Sequence, residues 1–405
     1  MTYLIPQLSR IAPQKAKEYY RSVTSKVRNT SQLLHLKKRV KQKGNSVKSF
    51  KYYKFKGKVL AFLDNHRKHD SSFEYYYSKT STETSLYASV YALMTLSILG
   101  ELSGIPNSIR HSWAHYFDSY QSQNGLFIDP SVYNEIYDDS DWWGARHLAL
   151  HMISGYTALG SRPSKPFNFL SEFSTRQISS WLNSIEWHER RLGDSDVDNK
   201  IMNIGCLLQY QRDQWQDKNA ADSLNSMKSI LFERINPQTG MWGNLDVDNP
   251  RQRSRLVQFA YHLFPLFFYD GFYSFNWDQI IKTVLKTQNG LGGFGVATNS
   301  SACEDIDSID ILIRAFPFVS QSMKRKINKA LNLAFKWVTA NMVDDGGFVF
   351  RLNESFVYGS PQTMSLINQG AMLPTWFRTL SLMYMARHLG IGESFNLTRC
   401  PGYEQ

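Results

Sequence analysis

Six aromatic residues recur along the chain at a near-constant interval: Phe73, Phe127, Trp187, Trp242, Phe294 and Phe348, with gaps of 54, 60, 55, 52 and 54 residues. Most lie in glycine-marked turns, at 123–127, 239–243, 288–295 and 344–348. Each is followed by a polar stretch and then a long apolar segment. A fixed period of this length marks a repeat architecture in which each unit is one supersecondary hairpin. It argues for one closed domain built from similar units, although 405 residues would suffice for two or three.

Between the turns the apolar spacing is helical. Segments 86–100, 142–160, 199–215, 253–269, 305–319 and 376–390 are apolar on most sides, as buried helices are. Alternating with them are amphipathic segments at 59–66, 108–120, 171–185, 221–232, 277–285 and 323–339, each leading into an aromatic turn. Lys324, Arg325, Lys326, Lys329 and Lys336 charge one face of the last, as a solvated outer helix requires. The expected fold is all-α: an (α/α)6 toroid, or barrel, of six helical hairpins spanning 59–390, with a basic N-terminal arm at 1–58, helical or extended, and a C-terminal tail at 391–405. Strand signals are sparse; 347–350 is the one short extended piece expected.

Charge is unevenly placed. Residues 1–58 hold 16 of the 46 Lys and Arg and one acid, Glu18, whereas the remainder has 30 basic and 34 acidic residues. The formal charge of +11 therefore belongs to the arm. Lysines interleave there with Phe50, Tyr52, Tyr53 and Phe55. The first expectation is a solvated arm or a strap across the toroid. Next comes an anionic membrane surface bound through residues 37–58. Nucleic acid trails, because no recognition motif accompanies the charge. No run of about 18 apolar residues suggests a membrane span, and no secretory pattern opens the chain. Cys206, Cys303 and Cys400 are far apart and show no disulfide framework. A cytoplasmic protein, peripheral to the membrane if the arm binds lipid, is the expectation.

In such a barrel the residues between a turn and the following inner helix form the rim of the central cavity. The sharpest rim is 300–314, with Glu304, Asp305, Asp307 and Asp310 at the start of a largely apolar helix. Glu304, Asp307, Asp310 and Arg314 share one helical stripe. Capping and the helix dipole would account for two acids; four reaching the second turn point to chemistry. Carboxylates this close cannot all ionise in a cavity, so one becomes a proton donor near neutrality.

A second acidic rim carries Asp138, Asp139 and Asp141, followed by Trp142, Trp143, Arg146, His147 and His151. A third carries Asp194, Asp196 and Asp198, then Asn199 and Asn203. Capping explains both as readily as function does. The His147/His151 pair has metal-ligand spacing but no accompanying Glu, so structural histidines and no metal are expected. Arg251, Arg253 and Arg255 open the fourth inner helix, with Gln258 and His262 on the Arg255 face. Arg378 follows Trp376 and Phe377 in the sixth. Such arginines suit an anionic or oxygen-rich substrate or pair with the acidic rims.

The run Gln288-Asn289-Gly290-Leu291-Gly292-Gly293-Phe294, followed by Glu304-Asp305-Ile306-Asp307-Ser308, resembles the terpenoid cyclase and protein prenyltransferase α–α toroid superfamily. Class II terpene cyclases of that superfamily carry an Asp-x-Asp-Asp motif whose middle Asp protonates an alkene or epoxide. The resemblance places Asp305 at the first position and Asp307 at the catalytic one, with Ser308 replacing the third Asp. It covers roughly 59–390. The prenyltransferase zinc pattern is not matched, so no cofactor is implied.

Three functional expectations result. The first is a terpenoid cyclase-like isomerase acting on an isoprenoid. Its catalytic group is Asp307 with Asp305, Glu304 and Asp310. Asp141, Trp142, Trp143, His147, Asn199, Arg255, Arg314, Trp376 and Arg378 contact the substrate. The second is a glycan-active enzyme of the same barrel shape, an inverting hydrolase or lyase acting on an oligosaccharide with paired rim carboxylates. The third is a non-catalytic binding toroid, since one architecture hosts unrelated chemistries.

Overall fold

The computed structural model of the chain describes residues 31–132, 142–189, 196–391, 395–396 and 398–403. The described part of the arm contains helix α1 (31–43). Six outer helices follow at the expected places: α2 (Tyr52–Asn65), α4 (Asn107–Asp118), α6 (Thr175–Ser184), α8 (Lys218–Glu233), α10 (Trp277–Leu285) and α12 (Gln321–Ala340). Between them run six inner helices: α3 (Leu86–Ile98), α5 (Ala145–Leu159), α7 (Val197–Trp215), α9 (Pro250–Phe268), α11 (Ala302–Ala315) and α13 (Met372–His388). Each inner helix packs on the next, and α13 packs back on α3, so the ring closes as an (α/α)6 toroid. Where inner helices approach most closely the side chain is deleted: a Cβ on Gly155 of α5 would lie 2.8 Å from Val90 of α3.

The aromatic turns work as expected and the structure shows how. Phe127, Trp242, Phe294 and Phe348 are fully buried, and each forms a backbone bridge to the end of the preceding outer helix, at Gln121, Ile235, Gln288 and Met342. In the first unit that bridge joins Arg67 to Tyr75, so Tyr75 holds the position expected of Phe73. Phe73 instead lies half-buried against Trp113 and Tyr116 of α4.

Three features depart from the repeat plan. The first outer helix begins at Tyr52, ahead of the expected 59, so Phe55 and Lys58 are helical. Residues 347–350 make only the Met342–Phe348 bridge. The one two-stranded sheet among the described residues lies downstream, β1 (Phe356–Tyr358) against β2 (Ser360–Ser365). The tail also returns to the barrel. The turn Cys400–Tyr403, closed by Tyr403 C=O accepting from Cys400 N–H at 3.1 Å, seats Gly402 beside Leu150 and Cys206. No helix among the described residues is long and apolar enough to cross a membrane.

The arm is a strap. Arg39 donates to Ala340 C=O (3.0 Å) and Met342 C=O (2.6 Å), and Asn45 N–H donates to Thr339 Oγ1 (2.8 Å). Phe50 meets the Phe335 ring edge-on, with centroids 5.1 Å apart. The strap thereby ties the first outer helix to the last.

Asp305 and Arg378 are the central tie of the ring. Both are buried, and Arg378 Nη1 donates to Asp305 Oδ2 at 2.8 Å. Asp305 also accepts from Phe294 N–H (2.9 Å), Ser300 Oγ (2.7 Å) and Trp337 Nε1 (2.8 Å). Arg378 donates further to Val349 C=O (3.0 Å) and Phe350 C=O (3.0 Å). Burial pushes the Asp305 carboxyl up and the Arg378 guanidinium down, and their mutual attraction opposes both shifts. Four donors converging on two oxygens is the arrangement of an ionised carboxylate. Removing one member strands the other in the core. Asp305→Ala is therefore expected to lower stability by about 3–5 kcal/mol, read from urea unfolding. A loss below about 1 kcal/mol would show that the pair is dispensable.

Candidate functional site

Helix α11 opens with a reciprocal cap. Ser301 Oγ accepts from Glu304 N–H, and the Glu304 carboxylate accepts from Ser301 N–H at 2.9 Å. Glu304 also accepts from Arg351 Nη2 at 2.9 Å. The cap fixes the phase of the helix, and Asp307 falls one turn further in, facing the barrel interior.

Asp307 is only 4% exposed, and its carboxyl has no hydrogen-bond or ion-pair partner among the described residues. Burial pushes its pKa well above the carboxylate range. Glu304 adds to the rise, as do Asp198 and Asp305, while Arg255 opposes it. Glu304, Asp198 and Asp305 each have a cationic partner; Asp307 has none among the described residues.

Facing it is an anchored polar cluster on α7 and α9. Asp198 is fully buried and accepts from Arg255 Nη1 (2.8 Å) and Nη2 (2.7 Å) in a two-pronged pair. His262 Nδ1 lies 2.7 Å from the same carboxylate. Burial raises the Asp198 pKa, but His262 and Arg255 outweigh it and hold the carboxyl well below its usual range. The two carboxyls are thus pushed in opposite directions, the kind of separation on which acid–base chemistry draws. The Arg255 and His262 side chains keep 21% exposure, so this edge of the chamber is open.

The rest of the wall is aromatic. Trp376 stacks on Tyr91 with centroids 5.1 Å apart, and Tyr403 meets Trp376 edge-on at 5.0 Å. Tyr358, at the tip of β1, places its hydroxyl 3.0 Å from that of Tyr91 and 3.3 Å from His147 Nδ1. Tyr87 Oη lies 3.1 Å from the same nitrogen, and His151 Nε2 lies 3.2 Å from His147 Nε2. Burial first, then neighbouring His262, pushes His147 down to about 3; burial and His147 push His151 well down. Both rings are neutral members of the wall. No three His, Cys, Asp or Glu side chains among the described residues converge as a metal-binding set.

The expected site residues separate into groups. Trp376 is packed in the core against Tyr91 and His151, and Asp307, Arg255, Asp198, His262 and His147 are electrostatic neighbours in the barrel interior. Glu304, Asp305 and Arg378 lie around it but are engaged in the cap and the buried tie. Asp310 and Arg314 pair with each other (3.0 Å) toward the opposite end of the barrel, beside a cavity of about 20 Å³ floored by Tyr403. Trp143 is core, stacked on Tyr87 at 5.9 Å, whereas Trp142 is 46% exposed at the mouth. Asn199 is half-buried, and its neighbour Asp198 takes the inward position. Asp138, Asp139, Asp141 and Asp194 lie outside the described residues. His262 was legible as a neighbour of Arg255 one helical face along. Tyr358 and Tyr403 were not, because they come from segments outside the repeat.

No protein-family model matches the chain, and no curated protein matches it. Among solved structures it is similar to a type II terpene cyclase from Scytonema in complex with geranylgeranyl dihydroxybenzoate (11% identity, 83% of this chain and 98% of that one, TM-score 0.47). It is also similar to a GH76 α-mannanase of Bacteroides thetaiotaomicron (13%, 85% and 96%, 0.41). A polysaccharide lyase gives comparable figures (10%, 84% and 98%, 0.45).

Two pH effects follow with opposite signs. His147 and His151 are neutral in the fold but protonate near pH 6.5 when unfolded, so acidification favours unfolding. Stability should fall below about pH 6.5, by up to ~1.4 kcal/mol per pH unit for each histidine. Urea midpoints at successive pH values check this, and His151→Phe should flatten the slope. Asp307 has a raised pKa, so the stability it contributes is complete below about pH 4 and is lost as pH rises. Asp307→Asn should therefore raise the melting temperature at pH 7, and a lower one would contradict the protonated assignment.

Proposed function

We propose that this chain is an enzyme of acid-initiated chemistry, a terpenoid cyclase-like isomerase in which Asp307 protonates an isoprenoid. The observation carrying this reading is Asp307 itself, a buried carboxyl without a hydrogen-bond partner among the described residues, whose pKa is pushed well up by burial and by neighbouring carboxyls. A free acid O–H in an apolar wall is the donor that alkene protonation needs. The alkene π pair forms the new C–H bond, Asp307 is left as carboxylate, and positive charge develops on the substrate carbon. Attack by a further double bond closes the ring, and loss of a proton regenerates the acid. Arg255 and His262, at the open edge, suit a polar or anionic substrate head.

The glycan-active reading draws on a different observation, the Asp198–His262 pair opposite Asp307. There Asp307 would protonate the glycosidic oxygen while His262, oriented by Asp198, activates water. The purified protein can be assayed by mass spectrometry against linear polyprenyl substrates and, separately, a panel of oligosaccharides. Asp307→Asn is expected to lower turnover about 10²–10⁴-fold. Conversion of an isoprenoid at the parent rate by that variant would remove Asp307 as the acid. Release of reducing sugars in place of cyclised products would select the glycan reading.

A further inference from the structure

The seam between the first and last outer helices holds a second built feature, independent of the barrel interior. Here the strap, α2 and the turn after α12 enclose a cleft of about 350 Å³. Lys43, Lys51, Lys54 and Lys58 stand around it, and Phe50 and Met342 form part of its floor. No carboxylate lines it. Lys51, Lys54 and Lys58 are exposed and have no acidic partner among the described residues. Lys43 alone reaches one, Asp344 at 3.5 Å, with both side chains largely exposed.

The convergence is imposed by structure. Lys54 and Lys58 fall on one stripe of α2, at i and i+4, and Lys51 stands at its N-cap. The strap that carries Lys43 to them is fixed by Arg39, Asn45 and the Phe50–Phe335 contact. Unpaired cations held around one concavity repel each other until an anion neutralises them. The chain beyond the arm has carboxylates enough to pair these lysines, since residues 59–405 hold 34 acids and 30 bases, yet none lines this cleft.

We propose that this cleft binds a phosphate ester, with the anion among Lys51, Lys54 and Lys58 and its alkyl part on the Phe50–Met342 floor. The ester is either the headgroup of an anionic phospholipid or a soluble phosphomonoester; the recognising chemistry is shared.

Calorimetry of the full chain at low salt tests this with octyl phosphate and inorganic phosphate. Flotation tests it with phosphatidylcholine vesicles with and without phosphatidylglycerol. Octyl phosphate should bind about tenfold or more tightly than inorganic phosphate, because only it covers the apolar floor. Affinity should weaken as salt rises. The triple variant Lys51→Ala, Lys54→Ala, Lys58→Ala should lose at least about tenfold while keeping its melting temperature. Lys37→Ala with Lys38→Ala, outside the cleft, should change little. Vesicle capture competed by octyl phosphate identifies the headgroup as the source; octyl phosphate binding without vesicle capture identifies a soluble ester. Absent octyl phosphate binding, unchanged binding by the triple variant, or an equal loss in the Lys37/Lys38 control would each overturn the proposal.

Discussion

The buried pair of Asp305 and Arg378 organises the rest of the molecule. It ties α11 to α13 and, through Trp337, to α12. Through Phe294 and the carbonyls of Val349 and Phe350 it also holds two of the aromatic turns. A charge buried this deeply is tolerated only when every acceptor and donor is occupied, and here the turns supply the donors. Its second effect is electrostatic. After burial, Glu304 and Asp198, Asp305 also contributes to raising the Asp307 pKa.

The repeats supply a symmetrical frame, and the departures from symmetry make the interior specific. The β1–β2 hairpin enters from one side with Tyr358, and the Cys400–Tyr403 turn enters with Tyr403. Between them the axis is filled by aromatic rings and two neutral histidines, leaving the Arg255–His262 edge as the polar approach. The catalytic reading depends on this contrast between a charged edge and an apolar wall, because a proton donor works best where water does not compete.

Much of the frame was legible because helical periodicity and glycine turns are local signals. Eleven of the twelve helices of the toroid begin within a few residues of where the apolar pattern put them, and the first outer helix begins earlier, at Tyr52. The acidic run 304–310 was also legible, but its partition was not. Whether Glu304, Asp305, Asp307 or Asp310 is free depends on Arg351 from the loop before β1, Arg378 from α13 and Arg314 from the last turn of α11 itself. Spacing alone cannot rank acids on one stripe; the partners decide. The same holds for Asp198 against Asn199, where a single position around the helix separates the anchored carboxylate from its half-buried neighbour. Tyr75 displaced Phe73 for a related reason: the first turn is longer, which shifts the bridging residue by two.

The seam bridged by the strap has a consequence for how the molecule is made. Helix α3, apolar on nearly every side, finds one of its two inner neighbours only in α13, and Tyr77 C=O accepts from Met372 N–H across that junction (2.9 Å). During synthesis the first hairpins must therefore wait, with sticky surface uncovered, until almost the whole chain has left the ribosome. Closure of the ring is a late, long-range event, of the kind that slows folding and invites association between incomplete chains. The strap and the returning tail both fasten that same junction, so the last step of assembly is also the one secured most often.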